Sequence, residues 1–380
     1  MRNMKQMTII GLILIMLIIT SCAGGNGGIT IYNKYQGQEG VTLNFRPDLP
    51  PSTIQDQDTI IVQAEIQNKG AYDLIEKQEV TEKDFPNILN WVYVELIYDP
   101  IFLELISGTE RLRLPATVTG QNILYDIYRL EGKSETYPTG EKIIQTLATM
   151  RANVKSEANK NPTTEIKAGV CYPYRTEFTD SVCIDSDIEK IESNPICRLT
   201  PTKTYNGQGA PLIVKQLKTQ QIVRTQSSIT QSSTPILNAL GQLTGIEQGN
   251  VDTTIRYIEP EYSITFSTKQ NARIFTYQGD TLTSVIEACN PIATGRNPNT
   301  QDPNQFNYKV TLGETELSCN SNMGEEVTYA KLVNGETTIK CKIPNNGVIT
   351  GGQNYQTLIN VQANYVVAES YEKTITINKE

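Results

Sequence analysis

The sequence predicts an all-β protein, and three observations carry that prediction. The clearest hydrophobic period is two: over Thr59 to Gln67, Ile60, Val62, Ala64 and Ile66 alternate with Gln63, Glu65 and Gln67, and Tyr262 to Lys269 sets Tyr262, Ile264 and Phe266 against Ser263, Thr265 and Ser267. The runs are short and bounded by turn residues such as Asn68-Lys69-Gly70 and Asn334-Gly335, the latter a strong hairpin signal. The strand-then-helix alternation of a parallel α/β domain is absent from both halves. Several short alternating strands with turns between them are the sandwich pattern, so the expectation is two related β-sandwich domains in tandem.

The chain begins with what reads as an export signal. Arg2 and Lys5 give a positive start, Thr8 to Ile19 is apolar, and Ile19-Thr20-Ser21-Cys22 has the order of a lipobox. An apolar run of about a dozen residues is shorter than the roughly 20 that a spanning helix needs. Residues 1–21 are therefore expected to be a lipoprotein signal peptide, with Cys22 lipidated, and residues 22–37 a glycine-rich flexible tether.

Residues 38–188 form the first expected domain. Its strands begin with Val41 to Phe45 and Thr59 to Gln67 and continue through Trp91 to Tyr98, Phe102 to Ile106 and Leu112 to Leu114. Lys142 to Val154 fits a helix by the spacing of Ile143, Ile144, Leu147 and Met150, but strand is preferred because its neighbours read as β. Gly169 to Tyr174 and Ser181 to Ile184 are expected to form a hairpin around Arg175 to Asp180. Residues 189–206, polar and proline-containing, read as the interdomain linker.

Residues 207–380 form the second expected domain, with a polar insert over 226–249 in which Pro235 to Ile246 suggests a helical turn or two. Its later strands are Phe306 to Leu312, Glu316 to Cys319, Thr337 to Ile343, Thr357 to Val366 and Tyr371 to Ile377. A loose internal repeat relates Asp58–Asp73 to Glu261–Thr276.

With Cys22 given to lipid, six cysteines remain: Cys171, Cys183, Cys197, Cys289, Cys319 and Cys341, an even set that an oxidising exterior would pair. Cys171 and Cys183 face away from Val170 and Val182, which would set them opposite each other across the expected hairpin. Cys319 shares a face with Leu317, and Cys341 with Ile339 and Ile343, so these two are the preferred core disulfide, leaving Cys197 with Cys289 by subtraction. Zinc is disfavoured, because there is no C-x-x-C pair and no histidine.

The absence of histidine removes the most frequent general acid or base and the commonest metal ligand. A net charge of −8 without a basic block argues against nucleic acid. Asp180, Asp185, Asp187 and Glu189 make the densest acidic cluster, but they lack the glycine turn and remaining ligands of an EF-hand and read as a solvated loop. Tyr93, Tyr98, Tyr125, Tyr128, Tyr172 and Tyr174 suit either a contact surface or a sheet, and the sheet is preferred.

Tyr35-Gln36-Gly37-Gln38-Glu39-Gly40-Val41, Phe45-Arg46-Pro47, Asn68-Lys69-Gly70-Ala71-Tyr72-Asp73, Cys171-Tyr172-Pro173-Tyr174-Arg175-Thr176, Val182-Cys183-Ile184-Asp185, Gly207-Gln208-Gly209-Ala210-Pro211 and Leu332-Val333-Asn334-Gly335-Glu336 together resemble uncharacterised archaeal surface lipoproteins of the woesearchaeal and nanoarchaeal kind. More distantly, each half resembles immunoglobulin-like adhesion modules, which implies that the all-β fold is two tandem immunoglobulin-like β-sandwich domains. Asn271-Ala272-Arg273 departs from the repeat, which expects Asn followed by glycine. The resemblance implies fold and location and carries no assigned activity.

The function expected is that of a non-catalytic, lipid-anchored cell-surface protein, an adhesion, spacer or cell-envelope module with no cofactor and no metal. Its partners would be the membrane, through the anchor, and a protein or glycan surface, with self-association open. The alternatives are a ligand-binding lipoprotein serving a transporter, or a subunit of a surface assembly whose exposed edge strand pairs with a neighbour.

Overall fold

The computed structural model describes residues 34–74, 91–108, 122–154, 161–185, 196–237, 243–269, 272–276, 304–325, 327–344 and 354–378. Strands are the regular elements among them, and all pairings are antiparallel except one. The first part of the chain supplies β1 (Val41–Phe45), β2 (Thr53–Gln55), β3 (Thr59–Asn68), β4 (Val92–Tyr98), β5 (Leu103–Gly108), β6 (Asn122–Tyr128), β7 (Lys142–Ala152) and β8 (Thr163–Asp185). The second supplies β9 (Thr202–Thr204), β10 (Leu212–Leu237), β11 (Leu243–Thr268), β12 (Arg273–Phe275), β13 (Gln305–Leu312), β14 (Thr315–Glu316), β15 (Ser318–Ser321), β16 (Gly324–Glu325), β17 (Tyr329–Lys331), β18 (Glu336–Lys342) and β19 (Asn354–Asn378).

Three sheets result. A four-stranded sheet has the order β1-β3-β7-β5 and a six-stranded sheet the order β16-β15-β18-β11-β10-β9. The third, drawing strands from both parts of the chain, is a nine-stranded sheet, β14-β13-β19-β8-β4-β6, to which β12 and β2 add through β19 and β17 through β13. Its spine is the pair β8 and β19, in unbroken register from Asn354↔Asp185 to Thr376↔Thr163. Strands expected of two successive modules thus share one sheet, and residues 34–380 cluster as one compact unit.

Both small sheets pack on the same face of the large one. The even-numbered residues of β8 point inward, and Tyr172 receives the backbone N–H of Val41 from β1 at 3.0 Å while Phe178 meets Tyr205 edge-on at 4.7 Å between centroids. Phe266 of β11 packs on Phe306 of β13 at 4.8 Å. Val41, Leu43, Val62, Ala64 and Ile66 line the core under the first small sheet; Leu212, Val214, Ile264, Phe266 and Ile339 line it under the second. Burial of these side chains, at roughly 25 cal/mol per Å² of apolar surface, is the main stabilising term.

The opposite face of the large sheet has a buried patch of its own. Tyr93, Glu95 and Ile97 of β4, Cys171 of β8, Val366 and Ala368 of β19, and Phe275 of β12 are all buried there.

Several sequence expectations need correction. Gly169–Tyr174 and Ser181–Ile184 are not two arms of a hairpin but parts of one 23-residue strand, β8. The intervening Arg175 to Asp180 contains no Gly, Asn or Pro to turn the chain, and it keeps the period of two, with Thr176 and Phe178 buried. Cys171 and Cys183 lie twelve positions apart along that strand, about 40 Å at roughly 3.3 Å per residue, and cannot bond each other. The helical turns expected within Pro235 to Ile246 are replaced by strand: β10 runs to Leu237 and β11 begins at Leu243. Thr357–Val366 and Tyr371–Ile377 are one strand, β19. The ambiguous Lys142–Val154 segment is strand β7 over Lys142–Ala152.

Candidate functional site

The most distinctive feature of the molecule is the hairpin of β10 and β11, 26 residues in each strand. Near the body the sequence is apolar on alternate positions, and Leu212, Val214 and Leu217 of β10 and Tyr262, Ile264 and Phe266 of β11 are buried. Here the hairpin is flanked by β9, through Gln216 to Lys218, and by β18, through Glu261 to Ser267. Farther out the composition turns to Ser, Thr and Gln, as in Thr225 to Thr234, and the register continues to Leu237↔Leu243. Past Lys218 and before Glu261, neither strand has another strand beside it among the described residues. The result is a two-stranded ribbon continuous with a packed base.

The base is built from the end of β8 and the segment that follows it. Gln221 donates from Nε2 to the carbonyl of Cys183 at 3.0 Å and accepts the N–H of Asp185 at 3.3 Å, fixing where β10 leaves the body. Cys183 is joined to Cys197. Asn354 accepts the N–H of Cys197 at 2.9 Å and donates back to its carbonyl at 3.1 Å. Asp180 takes Lys203 Nζ at 2.9 Å, the backbone N–H of Ser181 at 2.7 Å and the hydroxyl of Tyr205. Partial burial works against ionisation of Asp180, yet the bonds from Tyr205, Lys203 and Ser181 hold its carboxyl below the usual range. Burial, together with the same contact to Asp180, pushes the Tyr205 hydroxyl up. Residues 196–205, expected as free linker, are therefore clamped to the sheet, and β9 lies within them.

A polar depression of about 270 Å³ sits here, lined by Cys197, Arg198, Thr200, Lys203, Thr219 and Gln356. A second, of about 240 Å³, lies over Cys319 and Cys341 between Glu261, Lys340 and Lys342. Both fall below the roughly 300–1,000 Å³ of small-molecule sites.

The cysteine pairs differ from two of the three expected. Cys319 and Cys341 are bonded, and their register opposite each other on β15 and β18 sets a Cα separation of 4.0 Å. Cys183 bonds Cys197, so Cys197 with Cys289 is corrected along with Cys171 with Cys183. Cys171 is also disulfide-bonded, to a cysteine outside the described residues. The signal that sequence reading missed is local: the chain leaves β8 just after Cys183 and returns over its end at Cys197. Cys22 and Cys289 lie outside the described residues, as do Asp187 and Glu189 of the acidic cluster; Asp180 is an ion-pair partner, and Asp185 ends β8.

The tyrosines are structural. Tyr172 and Tyr174 are buried at the middle of β8, where the Tyr174 hydroxyl accepts the N–H of Tyr72 at 3.1 Å and donates to the carbonyl of Gly209 at 3.0 Å. Tyr365 on β19 receives the N–H of Leu212 at 3.2 Å. Burial raises the pKa of all three hydroxyls, keeping them neutral donors. Tyr93, Tyr98 and Tyr128 are buried too, while the side chain of Tyr125 lies outside the described residues. No group of three Cys, Asp or Glu side chains placed to hold a metal occurs among the described residues.

No protein-family model matches the chain, and no curated protein matches it. Among solved structures, the C-terminal domain of the Streptococcus pyogenes antigen I/II-family protein AspA aligns at 9% identity over 90% of this chain and 100% of that chain, with a TM-score of 0.18. A structure described as BspA_C_mut aligns at 8% identity over 90% of this chain and 97% of that one, with a TM-score of 0.17. Superpositions this poor carry no weight for fold or function. The class the coordinates define by themselves is an all-β, disulfide-bonded protein with a long β-ribbon.

Proposed function

We propose that the chain is an extracytoplasmic, membrane-tethered surface protein, anchored through lipid on Cys22, whose body serves as a non-catalytic adhesion, spacer or envelope module. The carrying observation is the disulfide set. Cys183–Cys197 ties the segment before β9 to the end of β8, Cys319–Cys341 joins two adjacent strands, and structural disulfides persist in oxidising compartments outside the cytoplasm. The positive start, the apolar run and Ile19-Thr20-Ser21-Cys22 support the same address, as does the resemblance to archaeal surface lipoproteins. The ribbon supports an interaction role, because it carries paired, extended backbone past the last strand that flanks it among the described residues. A protein or glycan surface is the partner class; the net charge of −8 disfavours nucleic acid.

The test is detergent-phase partitioning with surface proteolysis. The full chain is expected in the detergent phase and in the protease-sensitive fraction of intact cells, and Cys22→Ser is expected to move it to the aqueous phase. A wild-type chain in the aqueous phase would remove the lipid anchor. Protection from external protease, with release of the fragment only on lysis, would remove the surface address.

A further inference from the structure

We propose that the β10–β11 ribbon is an assembly element: copies of this chain join edge to edge, the outer edge of β10 in one copy pairing with the outer edge of β11 in the next. The ribbon extends the surface role proposed above, but its pairing chemistry stands on the backbone alone.

The ribbon is long for a two-stranded element. From Ile222↔Glu259 to Leu237↔Leu243 it continues without a flanking strand among the described residues, about 50 Å at roughly 3.3 Å per residue. An isolated two-stranded ribbon in water is marginally stable at best, and three or more strands are the usual requirement. Each outer edge carries a row of backbone N–H and C=O groups that a further strand would pair.

The edges are also unguarded. Proteins blunt exposed edges with Lys, Pro, bulges or short strands. From Ile222 to Thr234, β10 contains no Lys and no Pro, and Arg224 is its one charge. The register shift in the ribbon falls at its far end, between Ile236 and Leu237. On β10 the guarding devices, Pro235 and that shift, are confined to the tip, so the stretch from Ile222 to Thr234 is the edge open to another strand.

Composition selects the occupant. A lipid-spanning strand alternates apolar and polar residues, whereas Thr225-Gln226-Ser227-Ser228-Ile229-Thr230-Gln231-Ser232-Ser233-Thr234 is polar at nine of its ten positions. Backbone pairing, not apolar burial, is what such a strand offers. Charge then selects the register of copies. The ribbon part of β10, Ile222 to Leu237, bears Arg224, a net of +1; that of β11, Leu243 to Glu259, bears Glu247, Asp252, Arg256 and Glu259, a net of −2. Two β11 edges repel, and β10 against β11 attracts. Antiparallel pairing of β10 with a neighbour's β11 repeats the geometry inside the hairpin and leaves both copies pointing the same way. On the tether proposed above, that is the arrangement two copies on one membrane can adopt. Such a head-to-tail contact closes into a ring or runs on as a filament.

Sedimentation velocity on the full chain, over a concentration series in detergent and repeated on the Cys22→Ser chain, tests this independently of the anchor. Concentration-dependent oligomers are expected in both. In one variant Arg224 to Tyr257 are replaced by Asn-Gly, which closes Val223↔Ile258 with a two-residue turn; in a second, Ser228→Lys with Ser232→Lys guards the β10 edge at full length. Both are expected to lose assembly with the melting temperature of the body unchanged. Because the lysine variant keeps its β11 edge, adding it to wild type is expected to shorten wild-type assemblies in proportion to dose. A wild-type chain that is monomeric at every concentration, oligomers that survive in the shortened chain, or wild-type assemblies indifferent to the lysine variant would each overturn the proposal. So would ribbon-dependent flotation of a monomer with phosphatidylglycerol vesicles, which would give the ribbon to lipid.

Discussion

Glu95 on β4 stands opposite Gly169 on β8, and its carboxylate fills the space where a side chain at 169 would be. A Cβ there would lie 2.5 Å from Oε1 and 2.8 Å from Cγ of Glu95. The carboxylate is buried, and Oε1 has no hydrogen-bond partner. An ionised group without a partner in that setting is costly, so burial pushes the Glu95 carboxyl up to about 8 from an ordinary value of 4.5.

That shift has a direction in stability. Below pH 4.5 both the folded and unfolded forms carry the proton and Glu95 costs nothing by ionisation. Between 4.5 and about 8 the unfolded chain loses the proton while the folded one keeps it, so stability falls as pH rises; above 8 the loss is complete. The slope within the window is at most about 1.4 kcal/mol per pH unit. Denaturant unfolding at pH 5, 6, 7 and 8 is expected to show this decline, and Glu95→Gln is expected to remove the Glu95 contribution to it. Equal pH dependence in the two chains would contradict the buried, unpaired carboxylate.

Gly169→Ala forces the new methyl against Glu95 inside a packed patch. The expected cost is about 1–3 kcal/mol, the range for overpacking a core. Glu95→Ala opens the space, so Gly169→Ala is expected to cost less in a Glu95→Ala background than alone. Additive effects of the two substitutions would mean that the contact is not shared.

Tyr174→Phe tests the tyrosine row at the middle of the sheet. It strips the acceptor from the N–H of Tyr72 and the donor from the carbonyl of Gly209, which keeps the N–H of Ala71 at 2.7 Å. One donor is left unsatisfied, an expected loss of about 1–3 kcal/mol by chemical denaturation. Were the row a recognition surface instead, the substitution would leave stability alone.

The strands of the small sheets were legible because each buries one face: β3, β11 near the body and β18 alternate cleanly, and Asn334-Gly335 adopts the positive φ values, 53° and 79°, that its hairpin requires. The span of the central strands was not. β8 and β19 cross from one small sheet to the other; Arg175 to Asp180 reads as a turn, and the stretch after Val366 as a break, when both are rungs of one ladder with polar residues on the outer positions. Alternation reports which face is buried but not whether a strand stops. The ribbon was hidden for the related reason that strands with little to bury on either side have no hydrophobic period, so Thr225 to Thr234 looked like an insert. The disulfide partners followed these errors, since assigning Cys183 to a hairpin drew it toward Cys171 and away from Cys197.

Non-reducing peptide mapping is expected to recover Cys183 linked to Cys197 and Cys319 linked to Cys341. Their sequence separations of 14 and 22 give similar unfolded-state loops, each worth about 3 kcal/mol on the loop-entropy account. The two bonds differ in what they hold. Cys319–Cys341 joins adjacent strands in the six-stranded sheet, so Cys319→Ala with Cys341→Ala is expected to lower the melting temperature of the whole body. Cys183–Cys197 pins residues 196–205 to the end of β8, where Asn354, Asp180 and Phe178 also hold them. Cys183→Ala with Cys197→Ala is therefore expected to open that segment first, giving early protease cleavage between Ile196 and Tyr205 while the ribbon base stays attached through Gln221. Cleavage elsewhere before this segment yields would show that the bond does not brace the ribbon's base.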